Sequence, residues 1–142
     1  MKVKEIMTKS PSFCTPNTSL LAAARMMCEG DCGELPVLDS AQTMRPIGVI
    51  TDRDITCRAV AQGKNPLTLR VEGCMSRPAV TVTAEVDVDD CCELLEQHQI
   101  RRVPVIDEKG RLCGIVSQAD IARKVSAHKA GEVVREVSQT AV

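Results

Sequence analysis

Apolar residues recur along this chain in two spacings, and the whole series comes twice. Leu20, Ala23, Ala24 and Met27 stand at i, i+3, i+4 and i+7, which puts them on one face of a helix. Val88, Cys91, Cys92 and Leu95 repeat that face further on. After each helix come two short apolar runs. Residues 35–39 and 47–51 flank the polar loop SAQTMR, and residues 103–107 and 113–117 flank EKGR. Apolar runs parted by turn residues predict a hairpin in each half. A second helix is expected over 55–61 and again over 121–125. Weaker signals predict short strands near 12–15 and 79–83, and helical lead-ins at VKEIM and VEGCM. Thr18 or Ser19, and Asp87, are the expected N-caps, while Gly30 and Gly33 mark the end of the first helix.

The repetition can be aligned residue by residue. At a shift of 68, Pro36-Val37-Leu38-Asp39 falls on Pro104-Val105-Ile106-Asp107. The first copy has two extra loop residues, so the shift is 66 from there on, and Gly48, Thr51 and Asp54 fall on Gly114, Ser117 and Asp120. Repetition on this scale outranks any local motif as evidence of architecture. The expected fold is α/β of the α+β kind, two β-α-β-β-α repeats packed with pseudo-two-fold symmetry. Residues 1–62 form the first repeat, 63–70 a linker, 71–125 the second repeat and 126–142 a helical tail. Each copy is marginal as an independent core, so the two should share a buried face, and the clefts beside such a junction suit a ligand. In the tail, Gly131 is read as the break from the preceding helix. Val133, Val134 and Val137 are read as a stripe for docking or dimer contact.

Composition narrows the function. With 44% hydrophobic and 26% charged residues the chain is globular, and its net charge of −1 gives no footprint for nucleic acid. Phe13 is the only aromatic residue, so a bound base would have to lie between aliphatic side chains. No apolar run approaches the roughly 18 residues of a membrane span. The opening MKVKEIMTKSP does not read as a secretion signal, so a cytoplasmic location is expected. The two histidines, His98 and His128, stand at no zinc spacing from a cysteine pair, and no metal site is expected. Six of the eight cysteines (Cys14, Cys32, Cys74, Cys91, Cys92 and Cys113) stand where the other copy has an aliphatic residue, which predicts burial. Cys28 and Cys57 match Glu96 and Arg123, which predicts exposure and leaves a thiol-based redox response as a competing function. No nucleophile–base pair is evident, so the chain does not read as an enzyme.

The repeated stretches GVITDRD and GIVSQAD carry the candidate chemistry. A hydroxyl followed three residues later by an acid is a capping box, enough to start a helix. The same pair can do more. An ionised Asp offers two acceptor oxygens, which fit the adjacent hydroxyls of a ribose, and a hydroxyl beside free N–H groups suits a phosphate.

With KEIMTKSP, CGELPVLD, CMSRPAVTV and HQIRRVPVID, these stretches resemble a tandem pair of CBS (cystathionine-β-synthase) domains, the Bateman module, over almost the whole chain. The likeness is to small stand-alone bacterial CBS-pair proteins. It implies regulatory binding of an adenosine ligand (AMP, ADP, ATP, sometimes S-adenosylmethionine or a dinucleotide) in the clefts between the copies, with no obligatory cofactor. By resemblance, Thr51 and Asp54, and Ser117 and Asp120, hold phosphate and ribose. Arg101 and Arg102 match the family's basic position before the strand. The first copy has Gly33-Glu34 there, with Arg53 as a possible offset, so the second cleft is the better expected site. The resemblance also implies a homodimer and a separate, unknown protein partner. A ligand-free interaction module is the alternative within the family.

Overall fold

The computed structural model describes residues 1–139. In chain order the elements are α1 (Val3–Ile6), β1 (Thr8–Lys9), α2 (Leu20–Glu29), β2 (Glu34–Leu38), β3 (Pro46–Thr51) and α3 (Asp52–Ile55). A π-helical turn at Thr56–Val60 continues α3, and two 3₁₀ turns follow at Pro66–Thr68 and Val71–Gly73. Then come β4 (Val82–Thr83), α4 (Val88–His98), β5 (Arg102–Ile106), β6 (Leu112–Ser117), α5 (Gln118–Lys124) and α6 (Ala127–Val137). The mixed α+β class expected from the hydrophobic pattern holds. Among the described residues no helix is long and apolar enough to cross a membrane.

The chain divides into two compact units whose boundaries differ from those of the sequence repeats. One unit joins Met1–Pro11 to Thr81–Val142, and the other is Ser12–Val80. Each unit thus takes its lead-in from one copy and its body from the other. In the first, β1 pairs antiparallel with β6, giving a four-stranded sheet in the order β1-β6-β5-β4. In the second, β2 and β3 form an antiparallel hairpin, and Val49 exchanges two backbone hydrogen bonds with Ser76, at 3.0 and 2.8 Å.

The glycine that opens each motif is explained by this arrangement. A Cβ at Gly48 would overlap the carbonyl oxygen of Ser76 and stand 2.5 Å from Met75 Cε. One at Gly114 would stand 2.5 Å from Met7 Sδ and 3.0 Å from the Thr8 carbonyl oxygen. Glycine lets the lead-in backbone lie directly on the strand.

Each core is built from the predicted faces. Leu20, Ala23 and Met27 of α2 pack with Leu35, Val37, Ile50, Val71 and Met75. Val88, Cys91, Cys92 and Leu95 are buried on α4, as are Val103, Val105, Val116 and Ile121 in the same unit. Ser19 caps α2 by accepting from the Ala22 N–H at 3.1 Å, and Gly30 closes it. Asp87 stands at the N-cap of α4 without a side-chain cap bond, its carboxylate 3.3 Å from Lys2 Nζ.

Several expectations are corrected. The strand near 12–15 shrinks to a single bridge, Cys14 to Val37, and that near 79–83 to two residues. Pro11, Pro16 and Pro78 lie beside these segments and have no N–H to donate to a ladder. Gly131 does not break the tail. The break falls at Val125, which is extended, and Ser126 then caps α6 by accepting from the Lys129 N–H. Ala130, Val133 and Val137 form the buried face of α6, while Val134 is 44% exposed. The linker segment is strapped onto α2: Leu20 N–H donates to Leu69 O at 2.9 Å, and Val71 N–H to Thr18 O at 2.8 Å.

Four cysteines (Cys14, Cys74, Cys91 and Cys92) are buried as expected, but Cys32 and Cys113 are only half-buried. Cys28 is exposed, whereas Cys57 is half-buried rather than exposed. Burial pushes the Cys14 and Cys91 thiols up to about 12 and Cys92 to about 11. The thiolate is the reactive form, so these three are inert near neutral pH. A thiol reagent at pH 8 should therefore label Cys28 first and reach Cys14, Cys74, Cys91 and Cys92 only after denaturation, as counted by mass spectrometry.

Candidate functional site

Thr51 ends β3 and Ser117 ends β6, each in extended conformation immediately before a helix. Both predicted capping boxes are formed in full. Asp54 N–H donates to Thr51 Oγ1 at 3.0 Å, and Thr51 N–H donates back to Asp54 Oδ2 at 3.0 Å. Asp120 N–H donates to Ser117 Oγ at 3.2 Å, and Ser117 N–H donates to Asp120 Oδ2 at 2.9 Å. Each carboxylate is thus held in place while part of its acceptor capacity remains for other partners.

Those other partners differ. The Ser76 hydroxyl lies 3.2 and 3.3 Å from the two oxygens of Asp54, and Arg58 Nε stands 3.8 Å from Oδ1, beyond hydrogen-bond range. The Asp54 side chain keeps 12% of its surface exposed. Asp120 is 2% exposed, and it also accepts from the Ser117 hydroxyl at 3.1 Å and from Arg123 Nη2 at 2.9 Å. Arg58 and Lys124 are counterparts in the repeat and do the same work. Arg58 donates to the carbonyls of Cys74 and Met75, and Lys124 to that of Ile6, so each ties a helix to its lead-in.

The remaining predicted residues are brought to the corners to different degrees. Arg102, half-buried, is the Cα partner of Ser117, and the Arg101 carbonyl accepts from the Gln118 N–H at 2.9 Å. The backbone therefore sets both arginines beside the Ser117 corner. Asp107 stands at the other end of β5, where its Oδ1 accepts from the N–H groups of Lys109 and Arg111 as a turn residue. On the other corner Glu34 is the Cα partner of Thr51, and Arg53 is exposed. Arg123 and Ser76 were missed as neighbours of the acids. Spacing could have found Arg123, three residues after Asp120 on a predicted helix. Ser76 lies too far along the chain for any local signal.

A family model for the CBS domain matches residues 3–59 and 71–127. The chain belongs to the CBS-domain family. This CBS pair is 34% identical over 137 residues to the CBS domain-containing protein YhcV of Bacillus subtilis, covering 96% of the chain and 94% of that protein. It is also 36% identical over 135 residues to Hypoxic response protein 1 of Mycobacterium tuberculosis, covering 94% of the chain and 92% of that protein. A crystal structure of Hypoxic Response Protein I, with two coordinated zinc ions, superimposes with a TM-score of 0.78 and covers 89% of this CBS pair and 100% of that chain. Among the described residues here, no three His, Cys, Asp or Glu gather in a group that could hold a metal ion. The CBS domain pair of protein MJ0100, in complex with 5′-methylthioadenosine and S-adenosyl-L-methionine, superimposes with a TM-score of 0.75 at 32% identity, covering 87% of the chain and 94% of that one.

Proposed function

We propose that this CBS pair is a regulatory module that binds an adenosine-containing ligand through the aspartate carboxylate of a strand-to-helix corner, Asp54 or Asp120, and signals to a separate protein. The observation that carries this reading is the pair of acids themselves. Each is fixed at a strand-to-helix corner by its own capping box, and a carboxylate so held is suited to a vicinal diol. The likeness to the MJ0100 pair, whose ligands both contain adenosine, supports the ligand class. Thr51 and Ser117 supply a hydroxyl at each corner; Arg53 adjoins Asp54 in sequence, and backbone pairing sets Arg101 and Arg102 beside Ser117, as cations for a phosphate or another anionic group. Catalysis has no part in this reading. A ligand would act by binding two states of the module unequally.

The test is calorimetric titration of AMP, ADP, ATP, NAD, S-adenosylmethionine and 5′-methylthioadenosine into the purified protein. Saturable binding of at least one, with none for inosine or guanosine counterparts at the same concentration, is expected. No binding by any of the six would reject the reading.

A further inference from the structure

The two corners are not equally ready, and one residue makes the difference. Aligned at the shift of 66, every charged or hydroxyl group that holds the Asp120 corner has a counterpart at the Asp54 corner except Arg123, whose place is taken by Cys57. Resting on the adenosine reading above, we infer that Arg123 is a built-in occupant of the Asp120 corner, so that Asp54 alone takes ligand in the native chain and Arg123 determines how many sites are open.

The geometry supports this atom by atom. A carboxylate has about four acceptor positions. At Asp120 the Ser117 N–H and O–H take two on Oδ2, and Arg123 Nη2 takes one on Oδ1. What is left is shielded, because the side chain is 3% exposed. A ribose could reach Asp120 only by displacing a guanidinium from a charge-assisted bond. At Asp54 the Thr51 N–H takes one position, and a single Ser76 hydroxyl is shared between the two oxygens. A serine hydroxyl can turn aside by rotation about one bond. Arg58 makes no hydrogen bond to Asp54, since its Nε stands 3.8 Å from Oδ1 while its Nη1 is held by the carbonyls of Cys74 and Met75. Arg123 is itself 66% exposed, so removing its side chain deletes the occupant without opening a core.

The experiment measures stoichiometry by calorimetry, using the tightest adenosine ligand of the panel, with wild type, Asp54→Asn, Asp120→Asn, Arg123→Ala and Arg123→Ala/Asp120→Asn. The Asn variants keep the shape of the cap, and urea unfolding checks that each protein is folded. Wild type should bind one ligand per chain, weakened at least about tenfold by Asp54→Asn and unchanged by Asp120→Asn. Arg123→Ala should bind two, and adding Asp120→Asn should return it to one. Two ligands per wild-type chain, a single site lost in Asp120→Asn, or Arg123→Ala remaining at one would overturn the role of Arg123 while leaving the adenosine reading standing. No binding to any of the five proteins rejects both.

Discussion

Asp54→Ala should weaken adenosine-ligand binding by about 10- to 100-fold, the cost of losing hydrogen bonds to a charged acceptor at roughly 1.5–3 kcal/mol. The loss should appear in the calorimetric Kd and not as unfolding. Asp54 is only part-buried, so water can replace it as partner to the Thr51 N–H and the Ser76 hydroxyl. Loss of the cap itself should lower stability by about 0.5–2 kcal/mol, read from the urea midpoint. Thr51→Ala removes the other half of the same cap and leaves the carboxylate in place. Its stability cost should be similar and its effect on binding much smaller. If Asp54→Ala binds as tightly as wild type, the Asp54 carboxylate has no direct role.

Gly48→Ala should be the most damaging change of a single methyl group, at about 1–3 kcal/mol from forced backbone displacement. The added Cβ would meet the Ser76 carbonyl oxygen, and that carbonyl cannot retreat without breaking its bond to the Val49 N–H. Gly114→Ala should cost less, because its nearest neighbour is the Met7 side chain rather than backbone and the Thr8 carbonyl oxygen lies 3.0 Å away. Gly131→Ala should have the opposite sign. It sits inside α6 with nothing within 4 Å of the added methyl, so replacing glycine in a helix should stabilise by about 0.5–1 kcal/mol. Denaturant midpoints should therefore rise in the order Gly48→Ala, Gly114→Ala, wild type, Gly131→Ala. Displacing Ser76 should also disturb the Asp54 carboxylate it donates to, so Gly48→Ala should weaken ligand binding where Gly131→Ala does not.

These two predictions also mark what the sequence could and could not reveal. The apolar faces of α2 and α4 and the two hairpins were legible because each depends on local periodicity, and each periodicity occurs twice. The capping boxes were legible because an N-cap and its acid lie within one turn. The regrouping of lead-ins was not, since Val3 and Ile6 on one side and Val71 and Cys74 on the other carry the same apolar signal and either could serve either body. The clue available was the glycine opening each motif, a residue a strand interior does not favour unless another backbone comes close. The tail was misread at Gly131 because a glycine weakens a helix only slightly, whereas Ser126 supplies a positive start signal for α6. The bond between Arg123 and Asp120 was not foreseen for a different reason. Sequence reasoning weighed the arginines before the strand, but the carboxylate is occupied by the arginine one turn after it.

The most direct measurement of the central claim is a thermodynamic cycle between ligand and protein. AMP, or whichever panel member binds best, is compared with its 2′,3′-dideoxy analogue on wild type and on Asp54→Ala. If the Asp54 carboxylate holds the ribose diol, wild type should prefer the intact sugar by about tenfold or more, and the preference should vanish in Asp54→Ala. Equal affinity of wild type for both ligands, or a preference that survives in Asp54→Ala, would contradict it.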